Sequence, residues 1–196
     1  MDYRRMLERG KLDVVAITDH NTISFAQVAQ AKLGERAVIV GEEITTQAGE
    51  IIGLYLEETV PTGLTLEEAV AAIRAQNGLV YVPHPFETVR QGLHVDDLDA
   101  IASAVDVMEI FNGRAVFQNR GRLAIDWAID HKKAGAASSD AHGKVGWGRT
   151  ASLLEELPTR QTLVPLLVEA EYRMQSVHAG ILHPKANRLY RKLKRD

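Results

Sequence analysis

A chain of 196 residues with 45% hydrophobic content can bury one sizeable core, so a single domain is expected. Charged residues make up 25% and the formal net charge is −3, which excludes a general polyanion binder with its basic surplus. Cysteine is absent, which excludes disulfide frameworks and thiolate metal sites and leaves imidazole and carboxylate as the available metal ligands. The N-terminal MDYRRMLERGK lacks an apolar signal-peptide core, and no apolar run approaches membrane-spanning length. A cytoplasmic protein with no membrane partner is the expectation.

Taken in chain order, short apolar runs alternate with helix-periodic segments. VVAIT (14–18) is a strand, followed by a helix over 23–33 that stops at Gly34. AVIV (37–40) and IIGLYL (51–56) are further strands. Thr65-Leu66-Glu67-Glu68 carries a capping-box signature and opens a helix ending at Asn77-Gly78. LVYV (79–82) is a strand closed by Pro83, 96–104 a short helix, and VMEIF (107–111) a strand. A long amphipathic helix is predicted over 115–133, then GAAS (135–138) and TASLL (150–154) as strands, and a last helix over 158–172. Such alternation predicts parallel strands joined by right-handed crossovers, as an open α/β sheet or a barrel.

Both architectures collect functional groups at the C-terminal ends of their strands. The predicted strands run into Asp19-His20, Glu42-Glu43, Pro83-His84-Pro85, Asn112-Gly113-Arg114 and Asp140-Ala141-His142. Five strand ends with groups able to bind a metal or a phosphate, all facing one mouth, predict a site. No G-x-G-x-x-G follows any strand, which disfavours a Rossmann-type cofactor binder.

The stretches TDHNT (18–22), GEEIT (41–45), PHPF (83–86), EIFNGR (109–114) and SDAH (139–142), in this order, resemble the PHP superfamily, named for polymerase and histidinol phosphatase. The resemblance implies a distorted (β/α)7 barrel holding two or three divalent metals, and a phosphoesterase activity, nuclease or small-molecule phosphatase. It implies one domain over 1–196, with a barrel core at about 12–172 and a basic tail at 183–196. By the same resemblance Glu43 is the carboxylate that bridges two metals, with His84 a ligand of one and Asp140 of the other. His20 and His142 resemble ligands of a third. Asn112 and Arg114 lie at the rim, and Arg90 joins Arg114 as a candidate for phosphate contact, since arginine binds phosphate as a fork. Asp19, beside His20, is a candidate for orienting an imidazole.

The chain departs from the family pattern in two places. No His-x-His occurs, and the family's opening strand is absent, so the barrel reads as incomplete at its N-terminus. At about Ile52, where many members carry a histidine, the residue is apolar. Two readings stand: a metal-dependent phosphoesterase working on a phosphorylated small molecule or nucleic acid by metal-activated hydroxide, or a degenerate barrel serving as a scaffold. Zinc, manganese and iron all suit the donor set. An open strand edge at 14–18 is expected, with homodimerisation through it. Glu42 is read as a bystander, and His94, His131, His178 and His183 as structural or surface groups. The tail KANRLYRKLKRD is read as a solvated end, with a handle for nucleic acid as the alternative.

Overall fold

The computed structural model describes residues 3–8, 12–115, 120–143 and 146–174. The predicted tail, His178 and His183 lie outside them, as does the 116–119 portion of the predicted 115–133 helix. Helix α1 (Tyr3–Glu8) precedes β1 (Val15–His20), α2 (Ser24–Leu33), β2 (Val38–Thr45) and β3 (Glu50–Leu54). Next come α3 (Leu66–Ala75), β4 (Leu79–Val82), α4 (Val95–Ala100), a 3₁₀ turn (Ala102–Ala104) and β5 (Val107–Asn112). Helix α5 (Gly121–Asp130), β6 (Ala134–Ser138), β7 (Ala151–Leu153), α6 (Leu163–Val168) and β8 (Glu171–Arg173) complete the described chain. The capping box forms as its spacing demands: the Thr65 hydroxyl accepts from Glu68 N–H, and the Glu68 carboxylate accepts from Thr65 N–H at 2.9 Å.

Strands β1 to β6 form one curled, half-barrel sheet in sequence order, and β7 pairs with β8 separately. Among the described residues this is a mixed α/β half-barrel with six strands in its main sheet and two paired apart. The all-parallel expectation fails at β3, which runs antiparallel to both β2 and β4. Its cause is length. Only residues 46–49 join β2 to β3, too few for a crossover, so the chain turns back as a hairpin. The Thr46 hydroxyl donates to Gly49 O at 2.7 Å across that turn. Gly49 has φ +149°, and a Cβ there would sit 2.8 Å from Gln91 O, so no other residue fits. The predicted last helix is also shorter than expected: only 163–168 is α6, and 171–173 pairs with β7 instead.

The pleat sorts side chains between two apolar layers. Ile17, Val38, Val40, Ile44, Val80, Val82 and Met108 pack with helix residues such as Ala26, Ala69, Ile73, Leu98 and Trp127. Ile39, Ile52, Leu54, Tyr81, Val107 and Ala136 face the other way, against Leu163 and Leu167 of α6. This second face opens into a cleft toward the ends of the strands. Among the described residues, edge strand β1 has β2 as its one strand partner. Strand β6 is bordered by the antiparallel β7–β8 pair through Ser152, whose hydroxyl accepts from Ala137 N–H at 3.0 Å.

Alternation also separates the paired glutamates. Glu43 shares the face of Ile39 and Ile52. Glu42 shares the face of Val38 and Val40 and is fully buried, its Oε2 accepting from Val60 N–H at 2.8 Å and its Oε1 without a partner among the described residues. Burial pushes the Glu42 carboxyl above its ordinary value of 4.5. A raised acid favours the fold in its protonated form, so native stability declines as pH rises from about 4.5 through the raised value. Glu42→Gln keeps the acceptor for Val60 without the charge. We expect it to raise the melting temperature at neutral pH by about 2–4 °C, the shift that about 1 kcal/mol produces in a domain of this size. Thermal denaturation at pH about 4 and 7.5 checks this: the gain should be present at the higher pH and shrink at the lower.

Candidate metal centre

Four strand ends deliver acids and imidazoles to one cleft of about 460 Å³, lined by His20, Glu43, His84, Asn112, Asp140 and His142 among others. His20 closes β1 on the cleft side, and the parallel register sets it opposite Glu43 of β2. Asn21 pins the two strand ends together. It adopts φ +57°, its Nδ2 donates to Thr45 Oγ1 at 3.2 Å, and its Oδ1 accepts from Thr45 N–H at 2.9 Å. His20 Nε2 lies 3.4 Å from Glu43 Oε2, and His20 Nδ1 lies 3.4 Å from Glu50 Oε1. His84 Nε2 meets Glu43 Oε1 at 2.9 Å and stands 3.7 Å from Glu50 Oε2.

Ligand atoms of His20, Glu43 and Glu50 all lie within 4.8 Å of one another, a spacing that suits a single divalent cation. His84 stands outside that trio but borders it, its Nε2 against both Glu43 and Glu50. The donor set fits zinc, manganese or iron, two imidazoles with two carboxylates.

Glu50 is the ligand candidate that strand-end reasoning misses. That reasoning looks at C-terminal strand ends, but β3 runs backwards, so its first residue stands at the cleft edge. Glu50 and Ile52 share one face of β3, and the acid two residues before the apolar position faces His20. The gap between the strands read at 37–40 and 51–56, ten residues and so too short for a parallel crossover, is the signal that points to a hairpin and hence to Glu50.

Asp140 and His142 form a second group. Asp140 Oδ1 accepts from Arg114 Nη1 at 2.9 Å, and its Oδ2 accepts from Asn112 Nδ2 at 3.1 Å and from Arg90 Nη1. His142 Nδ1 is 3.4 Å from Asp140 Oδ1 and 2.8 Å from Arg114 Nη1. The rings of His20 and His142 are 6.3 Å apart, so the two groups are neighbours. Two guanidinium groups already neutralise Asp140. Arg90 is fully engaged: Nε and Nη2 donate to Glu87 at 2.8 and 2.6 Å, and Nη1 also donates to Asn112 Oδ1 at 3.1 Å. It ties the loop after β4 to the loop after β6. Asp19 is exposed and lines the cleft beside Tyr3, but the acids that meet the His20 ring are Glu43 and Glu50.

His84 and Asp140 are held in the left-handed region, φ +27° and +44°, which non-glycine residues rarely adopt. Such strain persists where the surroundings over-determine the backbone, and it clusters at functional sites. Charge follows the same geometry. The hydrogen bond with Glu50 is the main reason His20 rises to about 9, with Glu43 and Asp140 adding to it and burial opposing. Burial works to lower His84, but the Glu43 hydrogen bond and the Glu109 charge outweigh it and the net direction is up. Burial works to raise Asp140, but Arg114 and Arg90 outweigh it and hold the carboxyl below its ordinary range.

No family model matches the chain. Two uncharacterized proteins of Methanocaldococcus jannaschii are similar in sequence. One is 41% identical over 113 residues, 55% of this chain and 63% of that protein. The other is 37% identical over 133 residues, 66% of this chain and 52% of that protein. The chain thus spans between about half and two thirds of the length of these curated relatives. Among solved structures, PsfC of Pseudomonas syringae superposes with a TM-score of 0.70 at 16% identity, covering 97% of this chain and 88% of PsfC. A two-domain protein of Bacteroides vulgatus containing a predicted PHP-like metal-dependent phosphoesterase gives 0.64 at 18% identity, covering 84% of this chain and 56% of that one. A candidate metal-dependent phosphoesterase of Bifidobacterium adolescentis gives 0.58 at 17% identity, covering 90% and 91%. The property shared with these structures is the fold. No helix of the described residues is long and apolar enough to cross a membrane.

A raised imidazole has a measurable consequence in the metal-free protein. The His20 ring, about 9 in the fold against an ordinary 6.5, contributes stability that is complete below pH about 6.5 and is lost as pH rises through about 9. With chelator present, the denaturant midpoint should fall over that window. His20→Gln should flatten the fall, and an unchanged slope in that variant would refute the pairing with Glu50 and Glu43.

Proposed function

We propose that this chain, with its PHP-type fold, is a metal-dependent phosphoesterase whose cation is held by His20, Glu43, Glu50 and His84. The observation that carries the proposal is that His20, Glu43 and His84 line one cleft with Asp140 and His142, with Glu50 against the first group and Arg114 against the second. A divalent cation bound there supplies Lewis-acid polarisation of a phosphoryl oxygen and an activated water at neutral pH.

The protein's own groups do the rest. Glu43 lies between His20 and His84 and fixes both rings. Arg114 reaches Asp140 and His142 through Nη1, and its guanidinium is the group that would meet a phosphate. His142, partly exposed at the rim, holds a proton for the departing oxygen. Asn112 keeps Asp140 in place, and Asp140 in turn orients Arg114. Arg90 is a strut between loops rather than a contact to substrate.

A phosphorylated small molecule, nucleotide or nucleic acid is the substrate class this reading takes, in the cytoplasm, with a homodimer formed across the β1 edge. The scaffold reading has one observation in its favour: both oxygens of Asp140 are occupied by protein donors. Elemental analysis alongside hydrolysis of bis-nitrophenyl phosphate and nitrophenyl phosphate separates the two readings. We expect bound manganese, iron or zinc, and turnover that falls at least 100-fold in Glu43→Gln and His84→Ala. Arg114→Ala should raise KM about tenfold or more, from loss of a charge-assisted contact, while His131→Ala, a ring stacked on Trp127 of α5, leaves turnover unchanged. Full metal loading with no hydrolysis of either ester would select the scaffold.

A further inference from the structure

Glu109 is buried on β5, and every lone-pair direction of its carboxylate is taken by a protein donor. Oε1 accepts from the hydroxyls of Tyr81, at 3.1 Å, and Ser138. Oε2 accepts from His84 N–H at 2.6 Å and Asn112 Nδ2 at 2.8 Å. Four donors saturate a carboxylate, so this acid is not available as a cation ligand.

Its reach to Asn112 depends on a register irregularity. The β5–β6 pairing shifts between Glu109 and Phe111, which inserts one residue and brings Glu109 and Asn112 onto one face although they are three apart. Asn112 then passes the contact on to Asp140. On its other side Glu109 grips the main chain of His84, the residue with φ +27°. One buried acid therefore touches both halves of the site, and neither contact runs through a substrate-facing atom.

We propose that Glu109 is a positioning residue for the candidate metal centre: it clamps the His84 main chain so that the ring stays over Glu43, and it holds Asn112 against Asp140. This rests on the metal-dependent reading above. The donors on its two oxygens differ in a way that permits a test. Hydroxyls can turn and accept, whereas N–H groups cannot. Glutamine can present its carbonyl to His84 and Asn112 and its amide to Tyr81 and Ser138, so Glu109→Gln should rescue the function that Glu109→Leu loses.

Mn²⁺ titration by calorimetry and hydrogen exchange over residues 83–86, each on the full chain, provide the test. In Glu109→Leu the His84 amide should exchange at least tenfold faster, and the Mn²⁺ Kd should rise about 10- to 100-fold, the usual effect of losing a partner behind a ligand. Glu109→Gln should stay within about threefold of the parent on both measures. Tyr81→Phe and Ser138→Ala, which touch Oε1 only, should leave Mn²⁺ affinity within about twofold. Unchanged exchange in Glu109→Leu, unchanged Mn²⁺ affinity despite faster exchange, or equal damage in Glu109→Gln would each overturn the proposal. If the leucine variant fails to fold, Glu109→Asp, which keeps the charge but not the reach, takes its place: faster exchange with weaker Mn²⁺ binding supports the clamp, and no change in either overturns it. A parent protein that binds no Mn²⁺, Zn²⁺ or Fe²⁺ would sink the phosphoesterase reading, and the exchange measurement would still decide whether Glu109 holds His84.

Discussion

Negative charge crowded onto buried carboxylates around one cleft is the constraint that the rest of the structure satisfies. Glu43, Glu50 and Glu109 are buried, and Asp140 is nearly so on its side chain, at 14% exposure. Desolvation and mutual repulsion oppose ionising such groups together, and the penalty falls only when cations or donors meet each one. His20 and His84 meet Glu43 and Glu50, Arg90 and Arg114 meet Asp140, and four neutral donors meet Glu109. The compensating groups come from several segments, His20 from β1, His84 and Arg90 from the loop after β4, and Arg114 from just after β5. The loops after β1, β4, β5 and β6 are therefore held in one arrangement by electrostatics as much as by the apolar layers beneath them.

That arrangement explains the strained backbone. His84 and Asp140 sit in a conformation they would not choose in isolation, and both are fixed by side chains from β5: Glu109 on the His84 amide, Asn112 on the Asp140 carboxylate. The scaffold is stiff where the chemistry needs it. Tyr81, Ile52 and Leu54 line the same cleft with apolar surface.

Much of this is legible in the sequence, and the parts that are not share one cause. Thr65 and Glu68 announce their helix because capping is local, and β4 matches LVYV because Gly78 and Pro83 punctuate it. His20, Glu43, His84 and Asp140 stand out because each comes directly after an apolar run. Glu50 is hidden because its strand runs the other way, a fact carried by the length of a turn and not by the residue. Glu109 is hidden because it lies within a strand, where an acid reads as a solvent-facing position; only the bulge beside it reveals that it shares a face with Asn112. Arg90 looks available for phosphate because its partner Asp140 lies 50 residues away in sequence. The helix predicted over 158–172 is cut short because β7 supplies a pairing partner for Tyr172, and tertiary pairing outweighs local propensity.

The hairpin between β2 and β3 sets a limit on how this sequence can vary. Side chains on a strand alternate, so gaining or losing one residue in the 46–49 turn and sliding the pairing by one place would trade Glu50 for Ile51 at the cleft and push a carboxylate into the apolar layer among Ile44, Val38 and Ile73. Most surface turns tolerate insertions; this one is locked to a single length. Functional descendants of this chain are expected to keep the number of residues in this turn, and with it a side chain at 47 that reaches Gly63 and a small apolar residue at 48 against the core.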